Sequence, residues 1–142
     1  ILVLLVWSYL KTITAPLPIT EPSWKLSNAM IERLKSATSK EEAKILREVF
    51  VKELGLHVFQ RTKQGGVRYC DECKAIKPDR SHHCNVCQEC ILKMDHHCPW
   101  MGICIGYGHY RAFMAFNLSW LMYLIYAAAW VTALGPRYFD GK

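Results

Sequence analysis

The sequence predicts an α-helical membrane protein carrying, between two apolar segments, a small domain of loops and short hairpins stabilised by metal. Three observations predict it. The two ends of the chain are apolar while the middle is polar and basic. All seven cysteines fall between residues 70 and 104. Residues 113–134 form a run of 22 without a charge, long enough to cross a bilayer.

At 142 residues the chain has the length of about one domain. Its net charge of +6 suits nucleic acid, a membrane surface or an anionic cofactor. The distribution narrows the choice, because 16 of the 18 Lys and Arg residues lie between Lys11 and Arg111. A basic loop beside apolar spans is expected on the cytosolic side. Clustered C-x-x-C spacing there reads as metal binding in a reducing compartment, not as a disulfide framework.

Residues 1–10 (ILVLLVWSYL) are too few to span alone and lack the basic start of a signal peptide. We read them as the cytosolic end of a span that begins upstream, with Trp7 and Tyr9 at the interface and Lys11 at the exit. A buried core segment is the plainer alternative. Residues 14–22 (TAPLPITEP) hold three prolines, which exclude regular helix and suggest a stiff exit from the membrane. Residues 28–34 suit a helical turn or two. A longer helix is expected over about 40–54: Ser39 caps it, Glu42 completes a capping box, and Ile45, Leu46, Val49, Phe50 and Leu54 follow at helical spacing. Its apolar face suits packing on its own domain better than lipid. The expected division is a span end at 1–10, a cytosolic linker at 11–67, the cysteine-rich domain at 68–112, a full span at 113–134 ended by Gly135-Pro136, and the start of a lumenal or extracellular loop at 135–142.

Cys70-x-x-Cys73 and Cys84-x-x-Cys87-x-x-Cys90 are knuckles that let two thiolates share one ion. His82-His83, His96-His97 and Cys104 can complete two Cys₃His zinc sites. Spacing alone leaves open which histidine of each pair is a ligand and which cysteines share an ion. Both sites can close with four protein ligands, so the expected metal is structural zinc. A nucleic-acid zinc finger fits poorly: a membrane span follows the array directly, and no C₂H₂ spacing with a recognition helix is present. Two such sites use six cysteines and leave one. That one is Cys98, which follows Asp95-His96-His97. A neighbouring imidazole can take a thiol proton and a carboxylate can orient the imidazole, so Cys98, His96 and Asp95 read as nucleophile, base and orienter. The alternative makes Cys98 a spare zinc ligand. A nucleophile just before a span suits a substrate with a polar head and a lipid tail, such as a fatty acyl thioester of coenzyme A. Lys77, Arg80, Lys93 and Arg111 offer cations for its phosphates.

These motifs closely resemble the DHHC-type protein S-acyltransferases (palmitoyltransferases). The resemblance covers roughly residues 68–113: Cys70-x-x-Cys73, Lys77-Pro78-Asp79-Arg80, His83-Cys84-x-x-Cys87-x-x-Cys90, Asp95-His96-His97-Cys98-Pro99-Trp100 and Cys104-Ile105-Gly106. It implies a fragment of a four-helix transmembrane bundle, with the cysteine-rich domain in the cytosolic loop between the second and third helices. A later helix and a Thr-Thr-x-Glu motif would lie beyond this sequence. It implies transfer in two steps, from acyl-CoA to Cys98 and then to a cysteine of a substrate protein near the membrane. It also assigns one zinc to Cys70, Cys73, His83 and Cys90 and the other to Cys84, Cys87, His97 and Cys104, leaving His82 for the CoA head group. The sequence departs from the family pattern at Gly102 and Ile103, and again at Gly108 and His109, where asparagines are usual. A membrane-anchored zinc scaffold with little or no turnover is therefore the competing reading. On the full span, Phe113, Phe116, Trp120, Tyr123 and Ala127 fall near one helical face. With Trp100 they are expected to line an acyl tunnel, Tyr123 limiting chain length; lipid-facing aromatics are the alternative.

Overall fold

A computed structural model of the chain describes residues 1–139, with side chains as far as residue 133. It divides into two compact units, one of residues 1–16, 100–102 and 108 onward, the other of residues 17–99 and 103–107.

The first unit is built on two helices that pack on each other, α1 (Leu2–Thr14) and α4 (Tyr110–Phe139). The apolar run that opens the sequence forms α1, which continues past Lys11. Its buried positions are small: Ser8 and Thr12 are fully covered. Their hydroxyls donate within the helix, Ser8 Oγ to Leu5 O at 3.0 Å and Thr12 Oγ1 to Ser8 O at 2.8 Å. Small, self-satisfied residues let two helix backbones approach closely. Beside them the Tyr9 and Phe116 rings lie 5.8 Å apart. The helix α4 starts three residues earlier than expected, and its stretch Tyr110–Ala133 is long and apolar enough to cross a membrane. Gly135-Pro136 does not end it. The helix runs on to Phe139, so the loop expected from residue 135 is helical at its start. Residues 140–142, the rest of that loop, lie outside the described residues.

In the second unit, α2 (Asn28–Lys35) and α3 (Lys40–Glu53) fold together. Ser39 caps α3, accepting from Glu42 N at 3.1 Å. The Glu42 carboxylate turns instead to Thr38, accepting from its backbone N at 2.7 Å and its Oγ1 at 2.9 Å, so the box closes one residue further out than the sequence suggests. These bonds hold the Glu42 carboxyl below its ordinary range. The apolar face of α3 does pack on its own domain: Phe50 and Val51 join Leu26, Val58, Val67 and Ile76 in a buried core. The proline-rich stretch is a brace. Ile19 pairs with Ile91, Leu92 N donates to Pro18 O at 2.7 Å, and Thr20 N donates to Cys90 O at 2.9 Å.

The cysteine-rich region folds into three antiparallel hairpins: β1–β2 (Tyr69–Cys70, Ala75–Ile76), β3–β4 (His82–Cys84, Glu89–Ile91) and β5–β6 (His96–Cys98, Ile103–Ile105). Each has a four-residue loop closed by a pair, Cys70↔Ala75, Cys84↔Glu89 and Cys98↔Ile103. In each the fourth loop residue is left-handed: Lys74 at φ 52°, Gln88 at 56° and Gly102 at 67°. Cys84, Ile91 and Cys104 form a small apolar core with Leu17, Cys87 and Met94 against it, and Ile105 is fully buried.

Candidate functional site

The hairpins are copies of one pattern at a pitch of 14 residues. Cys70, Cys84 and Cys98 close the three loops from the same strand position, and Cys73, Cys87 and Met101 occupy the same loop position. The next cross-strand pair outward is Tyr69↔Ile76, then His83↔Cys90, then His97↔Cys104. Sequence reading recognised the repeated knuckles but missed this period, because the third copy has Met101 where the others have a second cysteine. The equal spacing of Cys70, Cys84 and Cys98 was the available signal.

The repeat explains how donors gather. Two clusters have all their donor atoms within 4.8 Å of one another: Cys70, Cys73, His83 and Cys90, and Cys84, Cys87, His97 and Cys104. Each takes two loop cysteines from one hairpin and the His–Cys pair from the next. Strand alternation makes this possible, because neighbouring residues point to opposite faces. On β3, His83 serves the first cluster and Cys84 the second.

Both clusters can hold a metal ion, and their dimensions suit zinc. Tetrahedral ligands about 2.3 Å from zinc stand roughly 3.8 Å apart. Here Cys73 Sγ and Cys90 Sγ lie 3.3 and 4.0 Å from His83 Nδ1. The other cluster spans 3.5 Å from Cys87 Sγ to Cys104 Sγ and 3.5–3.7 Å from its three thiols to His97 Nδ1. Burial raises the Cys70 and Cys84 thiols, but hydrogen bonds, led by the backbone N–H of Cys73 and Cys87, outweigh it and bring both below the usual thiol value. Cys90 and Cys104 are pushed far up by burial and by the neighbouring thiols. Such a set ionises together only around a cation.

Cys98 belongs to neither cluster and is buried, at 5% exposure. It follows His97 on β5, so it faces away from the second cluster, on the same side as His96. His96 Nδ1 lies 2.9 Å from Asp95 Oδ2. Asp95 is itself fixed by its backbone N–H, which donates to Ile105 O at 2.9 Å. An Nδ1–H donated to that carboxylate leaves Nε2 as the basic nitrogen.

The cations expected to meet phosphate are partly assembled. The His82 imidazole is held below its ordinary value by burial and by the charges of Arg68 and Lys77. Arg68 therefore joins Lys77 and His82, a residue sequence reading passed over. Strand pairing brings it there, since Lys77 N donates to Arg68 O at 2.8 Å. Arg80 is exposed and left-handed at φ 60°. Asp79, read from sequence only as part of a cationic turn, accepts from Gln60 N at 2.7 Å and from Phe59 N at 3.1 Å.

Of the apolar candidates, Phe113, Phe116, Tyr123 and Ala127 share the half-buried side of α4 with buried Ser119. Trp120 is exposed, stacked on Tyr123 at 6.0 Å, and Trp100 stands 90% exposed. Tyr123 and Tyr126 line a cavity of about 350 Å³ with Ile1, Leu2 and Val3. Tyr126 and the start of α1 were not singled out from sequence.

The departures from the asparagine pattern have a backbone reading. Gly102 and Gly108 have φ of 67° and 93°, in the region that asparagine and glycine both enter most readily. Glycine there keeps the chain path and gives up the amide. His109 differs: it is 1% exposed, and neither ring nitrogen has a hydrogen-bond partner among the described residues.

The family model of the DHHC palmitoyltransferases matches residues 63–134, the three hairpins and most of α4. The chain belongs to the DHHC palmitoyltransferase family. Palmitoyltransferase ZDHHC2 of Rattus norvegicus is 44% identical over 125 residues, covering 87% of this chain and 33% of that protein. Palmitoyltransferase ZDHHC15 of Rattus norvegicus is 39% identical over 142 residues, covering all of this chain and 42% of that protein. Palmitoyltransferase ZDHHC2 of Danio rerio is 42% identical over 137 residues, with 94% and 36% covered. The chain thus spans about a third to two-fifths of the length of these DHHC relatives.

Proposed function

We propose that this chain is the catalytic segment of a protein S-acyltransferase that moves a fatty acyl group from acyl-CoA to cysteines of substrate proteins. The observation that carries the reading is Cys98, a buried thiol outside both donor clusters, on the strand face shared with His96 and its partner Asp95. His96 Nε2 takes the Cys98 proton. The thiolate attacks the acyl carbonyl carbon, the carbon–sulfur bond to CoA breaks, and the CoA sulfur leaves with the proton from His96. A substrate cysteine, giving its proton to His96, then attacks the Cys98 thioester carbonyl; the carbon–sulfur bond to Cys98 breaks, and the Cys98 sulfur leaves with that proton.

In this reading the clusters hold two structural zinc ions. Cys70, Cys73, His83 and Cys90 bind one, and Cys84, Cys87, His97 and Cys104 bind the other. The ions supply rigidity and take no part in transfer. Lys77, Arg80 and His82, with Arg68, bind the CoA phosphates. Phe113, Phe116 and Tyr123 receive the acyl chain, with Trp100 at its entry. The chain is set in a lipid bilayer by Tyr110–Ala133 and by the end of a second span at α1, within a four-helix bundle whose cysteine-rich loop faces the cytosol. The domains in this reading are a span end within α1, a linker to residue 67, a zinc domain from residue 68 to the start of α4, and a span at Tyr110–Ala133. Substrate proteins then offer cysteines close to the membrane, and nucleic acid is no partner.

The test is transfer of labelled palmitate from palmitoyl-CoA to the full-length parent protein and to its Cys98→Ser form. A hydroxylamine-sensitive label that vanishes in Cys98→Ser is expected. Absence of label from a folded parent protein with two bound ions would instead support the scaffold reading.

A further inference from the structure

The linked arrangement of the two clusters has an open end. Each ion site consists of the two loop positions of one hairpin and the paired positions of the next. A third site in the same series would use Cys98, Met101 and the positions one repeat beyond His97 and Cys104, which are Arg111 and Leu118 on α4. Only Cys98 of these four is a ligand that zinc ordinarily takes. Yet the third hairpin keeps the knuckle backbone: the same four-residue loop, the same closing pair and the same left-handed fourth residue. Two thiols three residues apart in such a loop are what the first two hairpins contribute to the donor clusters.

We infer that Met101 keeps Cys98 available for chemistry by denying the third hairpin the second thiolate of a metal knuckle. A metal-bound thiolate has its lone pair engaged and attacks carbonyls poorly, while one thiol alone holds zinc weakly. Met101 is buried, at 7% exposure, so it fills its place with an apolar side chain of no net charge. It is a specificity-determining residue that touches no substrate: it decides between metal and acyl group at Cys98. The inference rests on the acyltransferase reading only for the value of a free Cys98. The metal chemistry stands apart from it.

The test uses the full-length protein, under reductant to prevent a disulfide, in wild-type, Met101→Cys, Met101→His and Met101→Ser forms. Zinc per chain and the rate of Cys98 alkylation are measured as zinc is added. Met101→Cys, and more weakly Met101→His, are expected to bind zinc beyond the wild-type content. Their Cys98 alkylation should slow by about tenfold, as expected when ~90% of the site is occupied. Met101→Ser, similar in size to cysteine but without a soft donor, should show neither change. Equal alkylation in all four forms at saturating zinc, or equal slowing in Met101→Ser and Met101→Cys, overturns the inference. Failure of acyl transfer in the wild type alongside zinc-dependent protection in Met101→Cys would reject the acyltransferase reading and leave this inference standing.

Discussion

The second and third hairpins are ten-residue relatives, HHCNVCQECI and HHCPWMGICI, that have been put to different uses. Their strand positions and loop lengths agree, and their loops close with the same pairing. In the second hairpin both loop cysteines face an ion site. In the third, the first cysteine survives and the second is methionine. The comparison sets one loop against another: the backbone that presents two thiols, Cys84 and Cys87, in the second hairpin presents a single thiol, Cys98, in the third. The neighbouring His97–Cys104 pair still belongs to the second cluster, so the freed thiol keeps a fixed strand beneath it.

The sharpest way to break the comparison is at the shared first cysteine. Cys84→Ser should lose an ion and most of the fold of the region, since ligand sets of this kind supply on the order of 10 kcal/mol of folding free energy. Cys98→Ser should keep both ions and the fold and lose only acyl labelling. Metal analysis with limited proteolysis separates the two, and equal loss of metal in both would place Cys98 among the ligands. At the second loop position, Cys87→Ser should release the second ion, whereas Met101→Leu should keep metal content and cost less than about 1.5 kcal/mol in thermal unfolding.

Smaller effects sharpen it. Gly106 lies one repeat beyond Leu92, and a Cβ at Gly106 would stand 2.8 Å from Leu92 O and 2.9 Å from Ile91 Cγ2. Gly106→Ala should therefore cost roughly 1–3 kcal/mol, read as a lower melting temperature. The smallest change is at the left-handed loop position. Gly102→Ala should destabilise by about 1 kcal/mol and Gly102→Asn by only a few tenths, because asparagine enters that region readily. An alanine variant as stable as asparagine would mean that the loop does not hold Gly102 at positive φ.

Much of the candidate site was legible because ligand chemistry is written in spacing. The knuckles and the paired histidines stand out without any structure, and the resemblance then distributed them into the two sets that the hairpins bring together. The capped helix at Ser39 was legible for the same local reason. Position in space was harder to see. Arg68 reaches His82 only through strand pairing, and the proline-rich stretch becomes a brace only by pairing Ile19 with Ile91 across the chain. The end of α4 was misplaced because Gly-Pro breaks helices in water-exposed sequence more reliably than in a long apolar helix. The histidine at 109 could be named as a departure from the family, but its burial without a hydrogen-bond partner among the described residues depends on packing that no local pattern encodes.

The order in which donors are shared has a consequence for biosynthesis. Cys70 and Cys73 are translated before their donor set is complete, and a closed four-donor set exists only once His83 and Cys90 have followed. The second ion waits likewise for His97 and Cys104, six residues before α4 begins at Tyr110. The two donor sets are thus translated in order, the first complete at Cys90 and the second at Cys104, before the apolar helix α4 begins at Tyr110. Cys98 lies between the last two donors of the second set, His97 and Cys104, so the strand that carries it is bounded on both sides by that set.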